Sequence, residues 1–115
     1  MMLYGIPNCT TVKKARAWLA EHGHDVPFHD FRKQGVEADW LKQVAGQTGW
    51  QALLNMRGTT WRKLDDAEKT TASNEAGALA LMMAQPSVIK RPVLEHDGRY
   101  HLGFAEEHYQ ALFGA

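Results

Sequence analysis

The chain has 115 residues, 44% of them hydrophobic, with 13 Lys plus Arg against 13 Asp plus Glu. That length and apolar content suit one globular domain around a single core, and they exclude a disordered chain. The zero formal charge offers no electrostatic case for direct nucleic-acid or acidic-membrane binding, and no apolar run reaches membrane-spanning length.

In chain order, Met2–Ile6 reads as a short buried strand. Thr10 to about His22 reads as a helix, with Val12, Ala15, Trp18 and Leu19 recurring on one side, and Gly23 stops it. Val26–Phe31 reads as a second strand. Strand, helix and strand with short connections predict a βαβ unit whose strands run parallel. The middle changes character. Gly35 precedes a predicted helix over Val36–Ala45, with Trp40, Leu41 and Val44 inward and Gly46 and Gly49 as punctuation. Trp50–Asn55 reads as another short helix, and Arg57–Leu64 as a loop entering one. Residues 65–72 show no clear period. Ser73 or Asn74 can cap a further helix, with Ala76, Leu79, Ala80 and Met83 as its expected apolar face and Pro86 as its end. Pro92–Glu95 and Tyr100–Phe104 read as strands joined by a two-residue Asp97-Gly98 turn. Ala105–Phe113 reads as a closing helix with Ala105, Tyr109 and Leu112 inward. With the middle removed, the element order is βαβ…ββα, an α/β thioredoxin-like fold with a mixed sheet.

Cys9 is the only cysteine, and it falls where the first strand ends and the first helix begins. A thiol there meets unpaired backbone N–H groups and the positive end of the helix dipole. Both favour the thiolate, which is the reactive form. Lys13 and Lys14 add positive charge one turn on, and Pro7 and Asn8 are turn residues that close the strand. One cysteine cannot form an internal disulfide. That fits a reducing compartment, and with no signal-peptide pattern a cytoplasmic location is expected. The position of a second cysteine in a Cys-x-x-Cys pair is Val12, so an outside thiol must resolve any disulfide made at Cys9. The six histidines have no zinc spacing, and no metal site is expected. From the residues alone Arg91 reads first as a solvated surface or salt-bridge arginine; because it precedes Pro92, a cis bond there could instead turn the guanidinium toward Cys9. A guanidinium there would grip an oxyanion or carboxylate and favour a thiolate.

Three segments, Tyr-Gly-Ile-Pro-Asn-Cys at 4–9, Arg-Gly-Thr-Thr-Trp-Arg-Lys-Leu at 57–64 and Ile-Lys-Arg-Pro-Val-Leu at 89–94, together resemble the ArsC/Spx (arsenate reductase-like) family, in its YffB branch. The resemblance is colinear over nearly the whole chain. It implies a single 1–115 domain, with a thioredoxin-like core at about 1–34 and 87–115 and a helical insertion at about 35–86. It implies catalytic roles for Cys9 and Arg91, and glutathione as co-substrate, supplied directly or through a glutaredoxin. Asn8, Thr10, Thr11, Lys13, Arg57 and Pro92 are the expected substrate- or glutathione-binding residues.

Arsenate reductases of the family use three arginines. The first would fall at Asn55 or at nearby Arg57. The third would fall near Gly103-Phe104, where there is none. A highly charged oxyanion needs several donors. The expected activity is therefore glutathione-dependent thiol/disulfide reduction by a monomer. The alternatives are an Spx-like regulator binding RNA polymerase, although Val12 removes the usual Cys-x-x-Cys switch, and a weak arsenate reductase.

Overall fold

Alternation of buried and half-exposed residues makes Met2–Gly5 the first strand, β1, in the computed structural model, which describes residues 1–114. Helix α1 (Thr10–Glu21) follows, and buries Val12, Ala15, Trp18 and Leu19, the four residues expected from the periodicity. Strand β2 is shorter than expected, Phe28–Asp30, because Phe31 already begins the single-turn helix α2 (Phe31–Gln34). Pro27 still contributes, its carbonyl accepting the Leu3 N–H at 3.0 Å.

The chain divides into two compact units, one of Met1–Asp30 with the residues from Arg91 on, the other of Phe31–Lys90. Ala115, the last residue of the expected core range, lies outside the described residues.

The first unit is built on a four-stranded mixed sheet of order β2-β1-β3-β4, with β3 at Val93–His96 and β4 at Arg99–Leu102. β1 and β2 are parallel, as the βαβ reading requires, and β1–β3 and β3–β4 are antiparallel. The Asp97-Gly98 turn closes the hairpin with both residues at positive φ, 52° and 75°, which matches the right-handed twist of the two strands. Helix α8 (Glu106–Phe113) packs Tyr109 into a core of Leu3, Ala15, Trp18, Leu19 and Leu94. Ala105 is the exposed N-cap of that helix and does not point inward as expected. Arg16, on the outer face of α1, lies over the Phe28 ring at 4.4 Å and covers the β2 edge.

Tyr109 is fully buried, and its hydroxyl has no hydrogen-bond partner among the described residues. Burial pushes its phenol well above the ordinary range. An unpartnered buried hydroxyl carries a desolvation cost of about 1–3 kcal/mol. Tyr109→Phe is therefore expected to raise stability by about 1 kcal/mol in urea unfolding, and a loss of that size would show a bond the hydroxyl keeps.

The second unit is helical. Helix α3 (Ala38–Thr48) runs through Gly46 and ends at Gly49, whose φ of 87° suits glycine. Helices α4 (Trp50–Leu53) and α5 (Thr59–Lys63) are short. Residues 65–72 hold a helix that periodicity did not reveal, α6 (Asp66–Thr71), begun by a reciprocal capping box between Asp65 and Glu68.

Asn74, not Ser73, caps α7 (Glu75–Ala84), accepting from the Gly77 N–H at 2.8 Å. The inward face of α7 is Ala78, Leu81 and Met82, whereas the expected Met83 is 44% exposed and Ala76 and Ala80 lie outside. The run from Ala76 to Ala84 is apolar nearly all round, so period alone cannot set its phase. Close approach sets it instead: a Cβ on Gly77 would lie 1.6 Å from the Thr71 carbonyl oxygen. A 3-10 turn at Pro86–Val88 and an antiparallel bridge between Leu54 and Ile89 complete the unit.

Candidate active site

The thiol is placed by the junction of β1 and α1. Gly5 ends the strand, Pro7 and Asn8 turn, and the Cys9 N–H donates to the Ile6 carbonyl at 3.3 Å. Gly5 is required here by contact, since an added Cβ would stand 2.9 Å from Val12 Cγ2. Val12 is itself fully buried and has no room to give. The helix start is thus held tightly against the strand end, and Cys9 becomes the N-cap of α1 with extended backbone, φ −98° and ψ 129°.

Cys9 is half-buried. Burial pushes its thiol up, but the N–H groups of Val12 and Thr11 and a hydrogen bond and positive charge from the Arg91 guanidinium outweigh that cost, so the thiol titrates below its ordinary value. No strict side-chain capping bond closes the turn; the two N–H groups act on the sulfur as the exposed donors of a helix start. The Arg91–Pro92 bond is cis. Pro92 is buried, and its carbonyl accepts the Gly103 N–H at 2.8 Å, which ties the residues just before β3 to the end of β4.

Of the residues singled out in sequence, Cys9, Arg91 and Thr11 come together at the sulfur. Asn8 is exposed in the turn, Thr10 is the exposed first residue of α1, and Lys13 is exposed one turn further along. Arg57 is exposed in the helical unit, on the loop before α5, its N–H donating to Asn55 Oδ1 at 3.2 Å. Among the described residues no group of three His, Cys, Asp or Glu side chains forms a metal site. Sequence reasoning missed a groove of about 560 Å³, open to solvent, beside α1. Thr11, Lys14, Trp18 and Glu21 line one side, and Phe104 and Glu106 the other. The four helix residues recur at a spacing that puts them on one face, but nothing in the sequence ties them to residues more than eighty positions later.

A mixed sheet, a lone lowered-pKa cysteine at the first helix start and a cis-proline loop carrying the arginine that contacts it define an α/β thioredoxin-like thiol protein. The ArsC family profile matches residues 4–112, and the chain belongs to that family. Its fold superposes on a solved YffB protein at 49% identity with a TM-score of 0.90, over 96% of each chain. A protein from Haemophilus influenzae is 44% identical over 96% of each chain. A global transcriptional regulator Spx from Streptococcus pyogenes is 31% identical over 96% of this chain and 82% of its own length.

Proposed function

We propose that the chain is a glutathione-dependent thiol/disulfide reductase of the reducing cytoplasm, with Cys9 as nucleophile and Arg91 as the residue that activates it. The observation that carries this reading is the Arg91 side chain hydrogen-bonded to a thiol that also faces the Val12 and Thr11 N–H groups. Cys9 thiolate attacks one sulfur of a disulfide. The old S–S bond breaks, its electron pair leaves on the departing thiolate, which takes a proton from water, and a mixed disulfide forms on Cys9. A glutathione thiolate, free or delivered through a glutaredoxin, then attacks that disulfide, and a second glutathione completes the exchange. Two glutathiones are oxidised to their disulfide for each disulfide reduced. Val12, packed at 0% exposure where a second cysteine would stand, leaves no internal resolving route.

In this reading Asn8, Thr10, Thr11, Lys13 and Pro92, close in sequence to Cys9 or Arg91, serve as contacts for glutathione. Arsenate is a poorer substrate in this reading, because no arginine stands near Gly103-Phe104, where a further one is expected. A second reading is an Spx-like regulator binding RNA polymerase, of which the relative named a global transcriptional regulator supports the regulator part. That reading makes no use of an activated thiol.

The test is the rate of Cys9 alkylation by iodoacetamide against pH. Thiolate is the nucleophile, so a lowered pKa moves the midpoint below the free-thiol value of about 8.5. Arg91→Met removes a bond and a charge that favour the thiolate, so the midpoint is expected to move up. Glutathione disulfide should yield a Cys9 adduct visible as a mass gain. A wild-type midpoint at the free value, with no adduct, sinks the reductase and leaves the regulator.

A further inference from the structure

The groove beside α1 has no part in the exchange described above. Thr11, whose N–H faces the sulfur, stands at one end of its helical side and Glu21 at the other. Ten residues of helix rise about 15 Å between them. Its volume, about 560 Å³, falls among sites for sizeable organic ligands and far exceeds what one oxyanion fills. Half-buried Phe104 gives it aromatic surface, Trp18 contributes only at the floor with 6% exposure, and its charged lining is one lysine, Lys14, against two glutamates, Glu21 and Glu106. Arg91 is not among the residues that line it.

These features disagree with glutathione as the occupant. Glutathione carries two carboxylates and one ammonium and is a net anion, whereas the groove is itself net negative. A ligand joined through sulfur to Cys9 and complementary to the far rim must carry a cation. It must also reach about 15 Å, which an extended peptide spans in about four to five residues and a small aminothiol does not.

We infer that the groove seats the polypeptide arm of a disulfide substrate, a cysteine with a basic residue about four positions away, laid along α1 toward Glu21, with Glu106 adding to the negative charge of the lining. This rests on the reductase reading and names its substrate class: a peptide or protein disulfide with a basic flank. Glutathione then meets the mixed disulfide from the Arg91 side, where its carboxylates find positive charge.

The experiment uses peptides of the form Cys-Gly-Gly-Gly-Lys and Lys-Gly-Gly-Gly-Cys, and the same pair with Glu for Lys. Each is activated as a mixed disulfide with thionitrobenzoate. Cys9 thiolate bonds to the peptide sulfur, the S–S bond to the reporter breaks, and coloured thionitrobenzoate leaves as a thiolate. Hydroxyethyl disulfide, small and neutral, is the reference substrate. In one of the two orientations the lysine peptide should react about tenfold faster than its glutamate twin, a preference that shrinks as salt is raised. In Glu21→Gln/Glu106→Gln that ratio should fall toward one while the hydroxyethyl disulfide rate is unchanged. Equal rates for lysine and glutamate peptides in both orientations, or a preference that survives the double substitution, overturn the inference and leave the reductase standing. No reaction even with hydroxyethyl disulfide brings down the reductase reading and the inference with it.

Discussion

Cys9→Ser should reduce glutathione-linked turnover of hydroxyethyl disulfide to the uncatalysed rate while leaving the fold in place. Sulfur to oxygen is a small change at a half-buried position, but a serine hydroxyl stays protonated at any working pH and cannot exchange with a disulfide. The fold is unaffected because the groups that meet the sulfur, the Thr11 and Val12 N–H groups and Arg91, belong to α1 and to the segment leading into β3 and are held there by their own backbone contacts. The substitution also has a pH signature. Folding lowers the Cys9 pKa, so the folded state binds the proton less tightly than the unfolded chain. The resulting stabilisation is fully present above the unfolded thiol value of about 8.5 and is lost as pH falls through the lower folded value. Serine has no such contribution. The wild-type advantage over Cys9→Ser in thermal melts should therefore grow from acid to pH 9. A difference that is flat with pH, or turnover that persists in the serine protein, would remove Cys9 from the mechanism.

Gly77→Ala should be the most damaging single methyl in the helical unit. Its Cβ would fall 1.6 Å from the Thr71 carbonyl oxygen and 3.3 Å from Asn74 Oδ1. The first is backbone at the end of α6, the second is the side chain that caps α7, and neither is the free end of a flexible chain. Relief requires α6 and α7 to separate, which removes Ala78, Leu81 and Met82 from their packing. A loss of about 3 kcal/mol is expected, seen as a fall in Tm of roughly 12 °C. Gly46→Ala is the matched control. Gly46 lies inside α3, and a Cβ there meets nothing within 4 Å. It should stabilise by about 0.5–1 kcal/mol, because alanine has less unfolded-state freedom to lose. Two Gly→Ala changes inside helices, opposite in sign, separate close approach from intrinsic propensity. Equal effects would show that propensity governs both.

These contrasts show where the sequence could be read and where it could not. The buried set of α1 was legible because charged residues break its apolar pattern and fix its phase. The hairpin was legible because Asp97-Gly98 is a local signal with a local cause. In α7 an almost unbroken apolar run hid the phase, which a contact with the end of α6 decides. The capping box that starts α6 lay open in Asp65-x-x-Glu68 but had no apolar stripe behind it to draw attention. At the site, the position of Cys9 at a helix start followed from neighbouring residues alone. The pairing of Cys9 with Arg91 did not: the two are far apart in sequence, and only the family resemblance joined them. The groove combines residues 11–21 with 104–106, a juxtaposition made by the sheet and invisible to any window along the chain.

The pairing of β1 with β3 has a consequence for the order in which the molecule assembles. Tyr4 faces Val93 across that ladder, so their contact closes a loop of about three quarters of the chain. Loop-closure entropy grows only as the logarithm of length, about 0.6 kcal/mol per doubling, yet it must be met before the ladder returns any energy. The helical unit is made of contacts nearer in sequence and can form first, shortening the free loop that remains. Arg91 then reaches Cys9 only when the central strands have met. Until that moment the cysteine has beside it only the N–H groups of its own helix start, and the arginine's share in its electrostatics waits on the closure of the sheet.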